Sequence, residues 1–426
     1  MMVSGAIARV STIDGLWALP EGWEWVPLEA LCSDIVGGGT PKRVREEYYG
    51  GDIVWVTPSD LDANDPCQEI FSSRNKLTSL GLKSSSAKLV PAGTILFSSR
   101  ATIGKIAIAG VPLCTNQGFA NLICGDLLDN HYLAWCLYAL TDEIKKLAGS
   151  TTYLEVNRGN LRWFKIPLPF SGSTTRSLET QRRLAARIEA LMAEVRRART
   201  LLDHMRRDAG RLIDAALKEL VSQLLTTRRP LVEVIEAKPR NGWSPQCDDN
   251  PNGVPVLKLG AVLWFRYNPN EVKRTSEPVD YNAHYWLQPG DILISRSNTP
   301  ELVGHASIYT GEPFPCIYPD LLMRLRVRTS EANSHFLIYW LRTREVREHI
   351  NRRASGASPT MKKIKQDDVC NIPFPTIDVS KQMRWVSHLD SIQSDVDNLF
   401  RLLDQHTKLL DQLEQSILER AFRGEM

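Results

Sequence analysis

Several features are missing from this 426-residue sequence, and each absence removes a class of protein. The eight cysteines (Cys32, Cys67, Cys114, Cys124, Cys136, Cys247, Cys316, Cys370) are scattered, with no Cys-x-x-Cys and no Cys/His group at metal-ligand spacing. That argues against a zinc site or a disulfide framework and fits reduced thiols in a cytoplasmic protein. No apolar run approaches the roughly 18–20 residues needed to span a bilayer. Met1 to Trp17 lack the basic start and long apolar stretch of a signal peptide. A cytoplasmic chain with no membrane association is expected. Charge of one sign is not in excess either: 52 Lys and Arg stand against 49 Asp and Glu, a net +3. Such a balance neither demands nor excludes nucleic acid, because binding depends on where cations cluster.

Catalytic signatures are also missing. There is no Asn/Asp-Pro-Pro-Tyr/Phe tetrad to hold a flipped adenine, no Gly-rich cofactor loop after a strand, and no His-Glu-x-x-His. Gly104-Lys105 looks like part of a phosphate loop, but Ser99 stands where the earlier glycine belongs and Ile106 replaces the required Ser/Thr. Thr102-Ile103-Gly104-Lys105 fits a Ser/Thr-x-x-Lys nucleophile pattern only by force.

What the chain does have is an internal repeat of about 200 residues. A chain this long is expected to hold two or more domains. Each half runs from a strand-rich region (roughly 20–178, then 229–378) into one long helix (about 179–226, then 379–422). In the first helix an apolar seam reads Leu184, Ile188, Leu191, Val195, Ala198, Leu202, Met205, Ala209, Leu212, Ala216. In the second it reads Trp385, Leu389, Ile392, Val396, Leu399, Leu403, His406, Leu410, Leu413, Ile417, each 201 residues on, and Gln181 and Gln382 keep the same offset. Unbroken four–three spacing marks a coiled-coil seam. His406 is expected as a polar position tolerated in that seam. Helices of this length reach about 65 Å at 1.5 Å per residue, so they project as a rod, and an antiparallel pair is expected. The first helix is rich in Arg and the second carries Asp390, Asp395, Asp397, Asp404 and Asp411 along its flank; opposite signs suit pairing.

The strand-rich regions match more loosely. Ile103–Ile108 parallels Val303–Ile308, Pro91–Leu96 parallels Gln288–Leu293, and Ile166–Pro169 parallels Ile372–Pro375, with offsets drifting from 197 to 206. Strands are expected at Asp52–Val56, Thr94–Ser98, Ile106–Ile108, Val254–Leu259 and Asp291–Ser295, and one helix per region at His131–Leu147 and His335–Ile350.

Polar and basic loops suit nucleic acid. Gly37-Gly38-Gly39-Thr40-Pro41-Lys42-Arg43 is flexible and then presents cations; its plainer reading is an ordinary turn. Ser98, Ser99, Arg100 and Thr102 follow one strand, and Ser295, Arg296, Asn298 and Thr299 follow its counterpart. Arg and Asn reach guanine and adenine edges bidentately, while Ser and Thr suit phosphates or bases. Lys105, Asn116, Gln117, Thr152, Tyr153, Asn157 and Arg158 extend the first candidate surface. Lys258, Ser358, Lys362 and Lys363 extend the second. Residues 324–365 hold eleven Lys/Arg against three acids, a cluster able to release counterions from a phosphate backbone, although charge runs usually form only a solvated face.

Three stretches carry a family resemblance. Leu19-Pro20-Glu21-Gly22-Trp23-Glu24-Trp25, the Pro-rich exits Ile166–Pro169 and Ile372–Pro375 leading into long helices, and the ending Ala421-Phe422-Arg423-Gly424-Glu425-Met426 together resemble the specificity subunits of type I restriction–modification enzymes over nearly the whole chain. The resemblance implies an α+β fold: two small α/β target recognition domains (1–178 and 229–378) joined by two long antiparallel coiled-coil helices (179–228 and 379–426), an internal pseudo-two-fold repeat. Each head would read one half of a bipartite asymmetric site on double-stranded DNA, and the helices would set the spacer. Expected partners are two modification (methyltransferase) subunits carrying S-adenosylmethionine, and restriction/translocase subunits using ATP and Mg²⁺; no cofactor or metal is expected on this chain. The first head departs from the pattern in having Trp55-Val56-Thr57-Pro58 where the second has Leu257-Lys258-Leu259. Two other readings stand beside this one: a coiled-coil scaffold, and a cryptic Mg²⁺-dependent nuclease with dispersed carboxylates.

Overall fold

The structure, a computed structural model, describes residues 17–100, 102–148, 154–224, 226–356 and 360–426. The chain forms two compact units, one of residues up to Leu201 together with His406–Met426, the other Leu202–Gln405. Both long helices, Thr174–Gln223 and Val379–Phe422, contribute to each unit.

The strands of the first unit are β1 (Trp23–Pro27), β2 (Cys32–Gly37), β3 (Tyr49–Val56), β4 (Glu69–Ile70), β5 (Asn75–Leu77), β6 (Ile95–Ser98), β7 (Ile106–Ala109), β8 (Cys114–Thr115), β9 (Phe119–Cys124) and β10 (Lys165–Pro169). The main sheet has the order β2-β9-β6-β7-β4, a second has β5-β3-β8, and β1 pairs with β10. β6 shows why the sheet sits where it does. Ile95 and Phe97 point into a core shared with Tyr132, Trp135, Leu184, Ile188, Ile417 and Phe422. Leu96, one residue out of phase, enters a second core with Val56, Ala107 and Phe119. A strand buried on both faces reads as a continuous apolar run, which Ile95-Leu96-Phe97 is.

In the second unit the strands are β11 (Arg228–Pro230), β12 (Arg240–Asn241), β13 (Val254–Leu257), β14 (Val272–Thr275), β15 (Ile292–Ser295), β16 (Ser297–Asn298), β17 (Ala306–Ile308), β18 (Leu322–Leu325), β19 (Lys362–Lys363) and β20 (Pro373–Pro375). The main sheet runs β12-β18-β15-β17, with the pairs β11–β20, β13–β14 and β16–β19 beside it. Ile292 and Ile294 face a core with Ile213, Leu217, Trp340 and Leu389, and Leu293 faces Leu257, Val262, Tyr309 and Tyr318. The alternation of β6 is therefore repeated in β15.

In each unit the two long-helix segments run antiparallel. Arg199 bridges Asp411 and Glu414 at 2.8 and 2.7 Å in the first. In the second, Arg206 pairs with Asp404 at 2.6 Å, and Gly210 and Ile213 lie opposite Val396 and Phe400. Arg on one helix and Asp on the other meet as the charge pattern suggested.

Three expectations need correction. The seam does not hold throughout: Met205, Leu212 and Leu413 are 40%, 51% and 48% exposed, and His406 is exposed rather than seated in a seam. In the second unit the buried line steps from the 212 position to Ile213, Ala216, Leu217 and Leu220; a 3.6-residue helix drifts relative to a strict seven-residue repeat. Each expected head helix is two, Asn130–Ala139 and Thr141–Lys146 in one unit, Ser334–Arg342 and Arg344–Arg353 in the other. The second break falls at Thr343, which is extended (ψ 150°) and turns its hydroxyl onto the Trp340 carbonyl at 2.7 Å.

Candidate nucleic-acid interface

At one end of the main sheet of the first unit, loops distant in sequence converge. The Thr40 hydroxyl donates to Gln117 Oε1. Asn116 Oδ1 accepts from Gly118 N at 2.9 Å and shapes that turn. Arg100 reaches Glu155 at 2.8 Å, both about half exposed. Asn157 caps the short helix Arg158–Arg162 by accepting from Gly159 N, and the Arg158 guanidinium lies over Gly37. Lys42, Arg43 and Thr102 are exposed nearby in sequence. Thr152 and Tyr153 lie outside the described residues.

The triple glycine is a packing requirement as well as a flexible segment. A Cβ on Gly38 would lie 2.0 Å from the Asn116 carbonyl oxygen, and one on Gly39 2.2 Å from Ala87 N. Trp55 Nε1 donates to the Gly39 carbonyl at 2.9 Å, fixing the loop from below.

The second unit builds the same end with different side chains. Ser244 donates to Asp320 Oδ1. Arg296 donates through its backbone to Leu321 O at 2.8 Å and through Nη1 to Asp320 O at 3.4 Å. Ser297 and Asn298 pair with Lys363 and Lys362 in β16–β19, so the lysines are held against the strand-end loop. Asn298 Oδ1 accepts from Thr299 N at 2.9 Å. Ser358 lies outside the described residues. Lys258 is exposed, donating through its backbone to Glu271 O. Its counterpart in the first head is Thr57: Trp55 pairs in parallel with Cys114 as Val256 does with Ile317, and both strands run into a 3-10 turn. The apparent departure at Trp55–Pro58 is thus a change of side chain on a shared backbone.

Four residues read as surface contacts do not present a free side chain at the surface. Ser98, Ser99 and Ser295 are at most 3% exposed. Ser98 Oγ donates to Thr102 O at 2.5 Å and accepts from Lys105 N at 2.8 Å; Ser99 Oγ donates to Gly118 O at 3.3 Å. They shape the turn that carries Arg100. Lys105 turns Nζ onto the Pro58 and Leu61 carbonyls at 3.0 and 2.9 Å. The basic run 324–365 also disperses. Arg324 and Arg326 flank the buried Asp291, Arg342 turns to Asp214, Arg344 to Glu348, and Arg347 to the Glu301 carbonyl. Of that run, Lys362 and Lys363 are the cations set beside β16.

Sequence reasoning missed Ser244, Asp320 and Glu155. The only sequence signal for the first two is Gly242, whose Cβ would lie 1.9 Å from the Tyr318 carbonyl oxygen, as Gly38 crowds Asn116; one glycine match at an offset of 204 is too little to see. Among the described residues no group of three or more His, Cys, Asp or Glu is placed to hold a metal. No helix there is long and apolar enough to cross a membrane. Burial pushes the thiol of Cys32 up to about 12 and that of Cys124 higher still, and all eight cysteines are free.

Each of the two units is a sheet-based head that ends in a loop cluster of hydroxyl, amide or carboxylate and arginine and packs on antiparallel segments of the two long helices, the α+β make-up of a DNA-recognition subunit. Along nearly its whole length the chain is similar to specificity subunits of type I restriction–modification systems. The profile of the type I restriction modification DNA specificity domain matches residues 20–200. The MjaIX specificity subunit of Methanocaldococcus jannaschii is 37% identical over 153 residues, 35% of each chain. The EcoKI specificity subunit of Escherichia coli K12 is 23% identical over 96% of this chain and 90% of its own length. Among solved structures, a chain from work on the assembly and conformational transition of the type I R-M system superposes with a TM-score of 0.74 at 25% identity, covering 96% of this chain and all of its own. The HsdS subunit from Thermoanaerobacter tengcongensis gives 0.57 at 24% identity over 97% and 99%.

Proposed function

We propose that this chain is the sequence-reading, non-catalytic subunit of a type I restriction–modification complex, with each head contacting one half of a bipartite, asymmetric site on double-stranded DNA. One observation carries the reading: the same loop end is built twice, on a shared backbone, with different polar side chains. A duplicated scaffold with unlike tips suits two readers of unlike sequences. Phosphate contacts from Lys42, Arg43, Lys362 and Lys363 would set the register, and the side chains between them would read bases.

The helices would fix the unspecified spacer and dock two modification subunits; restriction/translocase subunits would complete the complex. S-adenosylmethionine, ATP and Mg²⁺ would be held by those partners, none by this chain, and the assembly would act in the cytoplasm. The experiment is to map methylated adenines in host DNA by single-molecule sequencing with and without this gene. A bipartite motif present only with the gene supports the reading. Methylation unaffected by its loss overturns it, and DNA nicking by the purified chain with Mg²⁺ would favour a nuclease instead.

A further inference from the structure

The two hydroxyl pairs occupy one position of the repeat. In the first head, Gly39 N donates to Thr115 O at 2.9 Å, Thr40 follows Gly39, and Ser99 N donates to Gly118 O at 2.8 Å. In the second, Trp243 N donates to Tyr318 O at 2.9 Å, Ser244 follows Trp243, and Arg296 N donates to Leu321 O at 2.8 Å. The turn between those anchors holds Gln117 in one head and Asp320 in the other, and the neighbouring hydroxyl, Thr40 or Ser244, donates to each. The backbone is therefore the same and the functional group differs: an amide in one head, a carboxylate in the other.

We infer that Gln117 and Asp320 are equivalent base-reading residues, Gln117 selecting adenine in one half of the site and Asp320 selecting cytosine in the other. The assignment rests on the recognition reading above. Its chemistry is direct. The Thr40 hydroxyl takes one lone pair of Gln117 Oε1 and orients the amide, whose Nε2 makes no hydrogen bond to any described residue. That leaves an N–H donor and a remaining oxygen lone pair side by side, the pattern that matches adenine N7 and N6 in the major groove. Ser244 engages Asp320 Oδ1 in the same way and leaves Oδ2 without a bond to any described residue. A carboxylate offers acceptors only: adenine N6 donates beside the N7 acceptor, which repels a carboxylate, whereas the cytosine N4 amine donates with no acceptor on the same base edge. Thr40 and Ser244 are positioning residues: they hold the reading group, sparing DNA binding the cost of ordering it.

The test uses the chain assembled with its modification subunits and a duplex library randomised across the wild-type site, with bound and methylated sequences counted. Gln117→Glu should move one position in one half from adenine towards cytosine, and Asp320→Asn one position in the other half from cytosine towards adenine. Each preference should change by roughly 5- to 150-fold, with the opposite half untouched. Gln117→Asn, which keeps an amide, should keep adenine. Thr40→Val and Ser244→Ala should flatten selectivity at those same positions without moving it to a new base. Selectivity unchanged by both Gln117→Glu and Asp320→Asn overturns the assignment, as does a uniform loss of binding across all bases that Gln117→Asn shares. A wild-type complex that selects no bipartite site would instead sink the recognition reading beneath it.

Discussion

Gln181 and Gln382, 201 residues apart, make the same two hydrogen bonds. Gln181 Oε1 accepts from Asp129 N at 2.8 Å and its Nε2 donates to Leu127 O at 2.9 Å. Gln382 Oε1 accepts from Asn333 N at 2.8 Å and its Nε2 donates to Glu331 O at 2.9 Å. Both side chains are fully buried, and both grip the residue that caps a head helix, Asp129 or Asn333. Each glutamine thereby locks the start of a long helix to the head beside it.

Truncating either glutamine leaves a backbone N–H and a carbonyl without partners. Gln181→Ala and Gln382→Ala should each cost about 1–3 kcal/mol, read as a lower urea midpoint. Because the two sites lie in separate units, the double variant should lose about the sum. A loss below a few tenths of a kcal/mol for either would show that the clamp is dispensable.

The glycines give a sharper functional contrast. Gly38→Ala puts a methyl group against the Asn116 carbonyl and Gly242→Ala puts one against the Tyr318 carbonyl, and neither neighbour is a flexible side-chain end. Each should displace its own strand-end loop at a cost of about 1–3 kcal/mol. The expected result is selectivity lost in one half-site only, a different half for each variant, measured by methylation-motif mapping. Loss of both halves from one variant would contradict independent heads.

How much of this was legible in the sequence depended on regularity. The repeat in the long helices was visible because 201-residue spacing and helical periodicity act on every turn, and Gln181 and Gln382 stood out by the same offset. The strands β6 and β15 were visible as short apolar runs. The proposed reading surface was only half visible. Thr40, Arg100 and Gln117 in one head, and Ser244, Arg296 and Asp320 in the other, sit in polar loops, but what assembles each cluster is sheet pairing between segments up to about 80 residues apart, and loop lengths differ between the heads. Burial was hidden as well: a serine after a strand looks the same whether it faces solvent or, like Ser98, closes a turn. So did the run 324–365, where the acids that neutralise its arginines, Asp214 and Asp291, come from elsewhere in the chain. Cys32 and Cys124, scattered in sequence, face each other across β2 and β9.

Lys42 and Arg43 are exposed and follow the Thr40 loop. As phosphate contacts they should add affinity without selectivity. Arg43→Ala should weaken binding of the assembled complex to all sequences alike and reduce the slope of log K against log salt by about 1. A changed base preference with an unchanged salt slope would reassign Arg43 to base reading.

His305 gives the second unit a pH dependence of known sign. Its ring is 5% exposed and packs against Phe265 at 4.5 Å between ring centres, and its Nδ1 accepts from Trp264 N at 3.0 Å. Burial, reinforced by the nearby Arg347 charge, lowers its pKa from 6.5 to about 4. That accepted bond holds a turn with Trp264 and Phe265 both in the left-handed region, at φ 59° and 58°, where bulky residues are strained. Above pH 6.5 the ring is neutral whether the chain is folded or not, and contributes no pH dependence. From 6.5 down to about 4 the unfolded chain takes up a proton that the folded one refuses, so stability falls as pH falls. Protonated Nδ1 can no longer accept, and the strained turn is released. His349, lowered by burial and by Arg353, adds a loss of the same sign. His305→Gln should therefore flatten, without abolishing, the decline in unfolding free energy between pH 6.5 and 4. The fluorescence of Trp264, isolated by difference against Trp264→Phe, should shift around pH 4, where the folded ring takes up its proton, in the parent chain and stay constant there in the His305 variant. A decline equally steep in both proteins would place the proton uptake elsewhere.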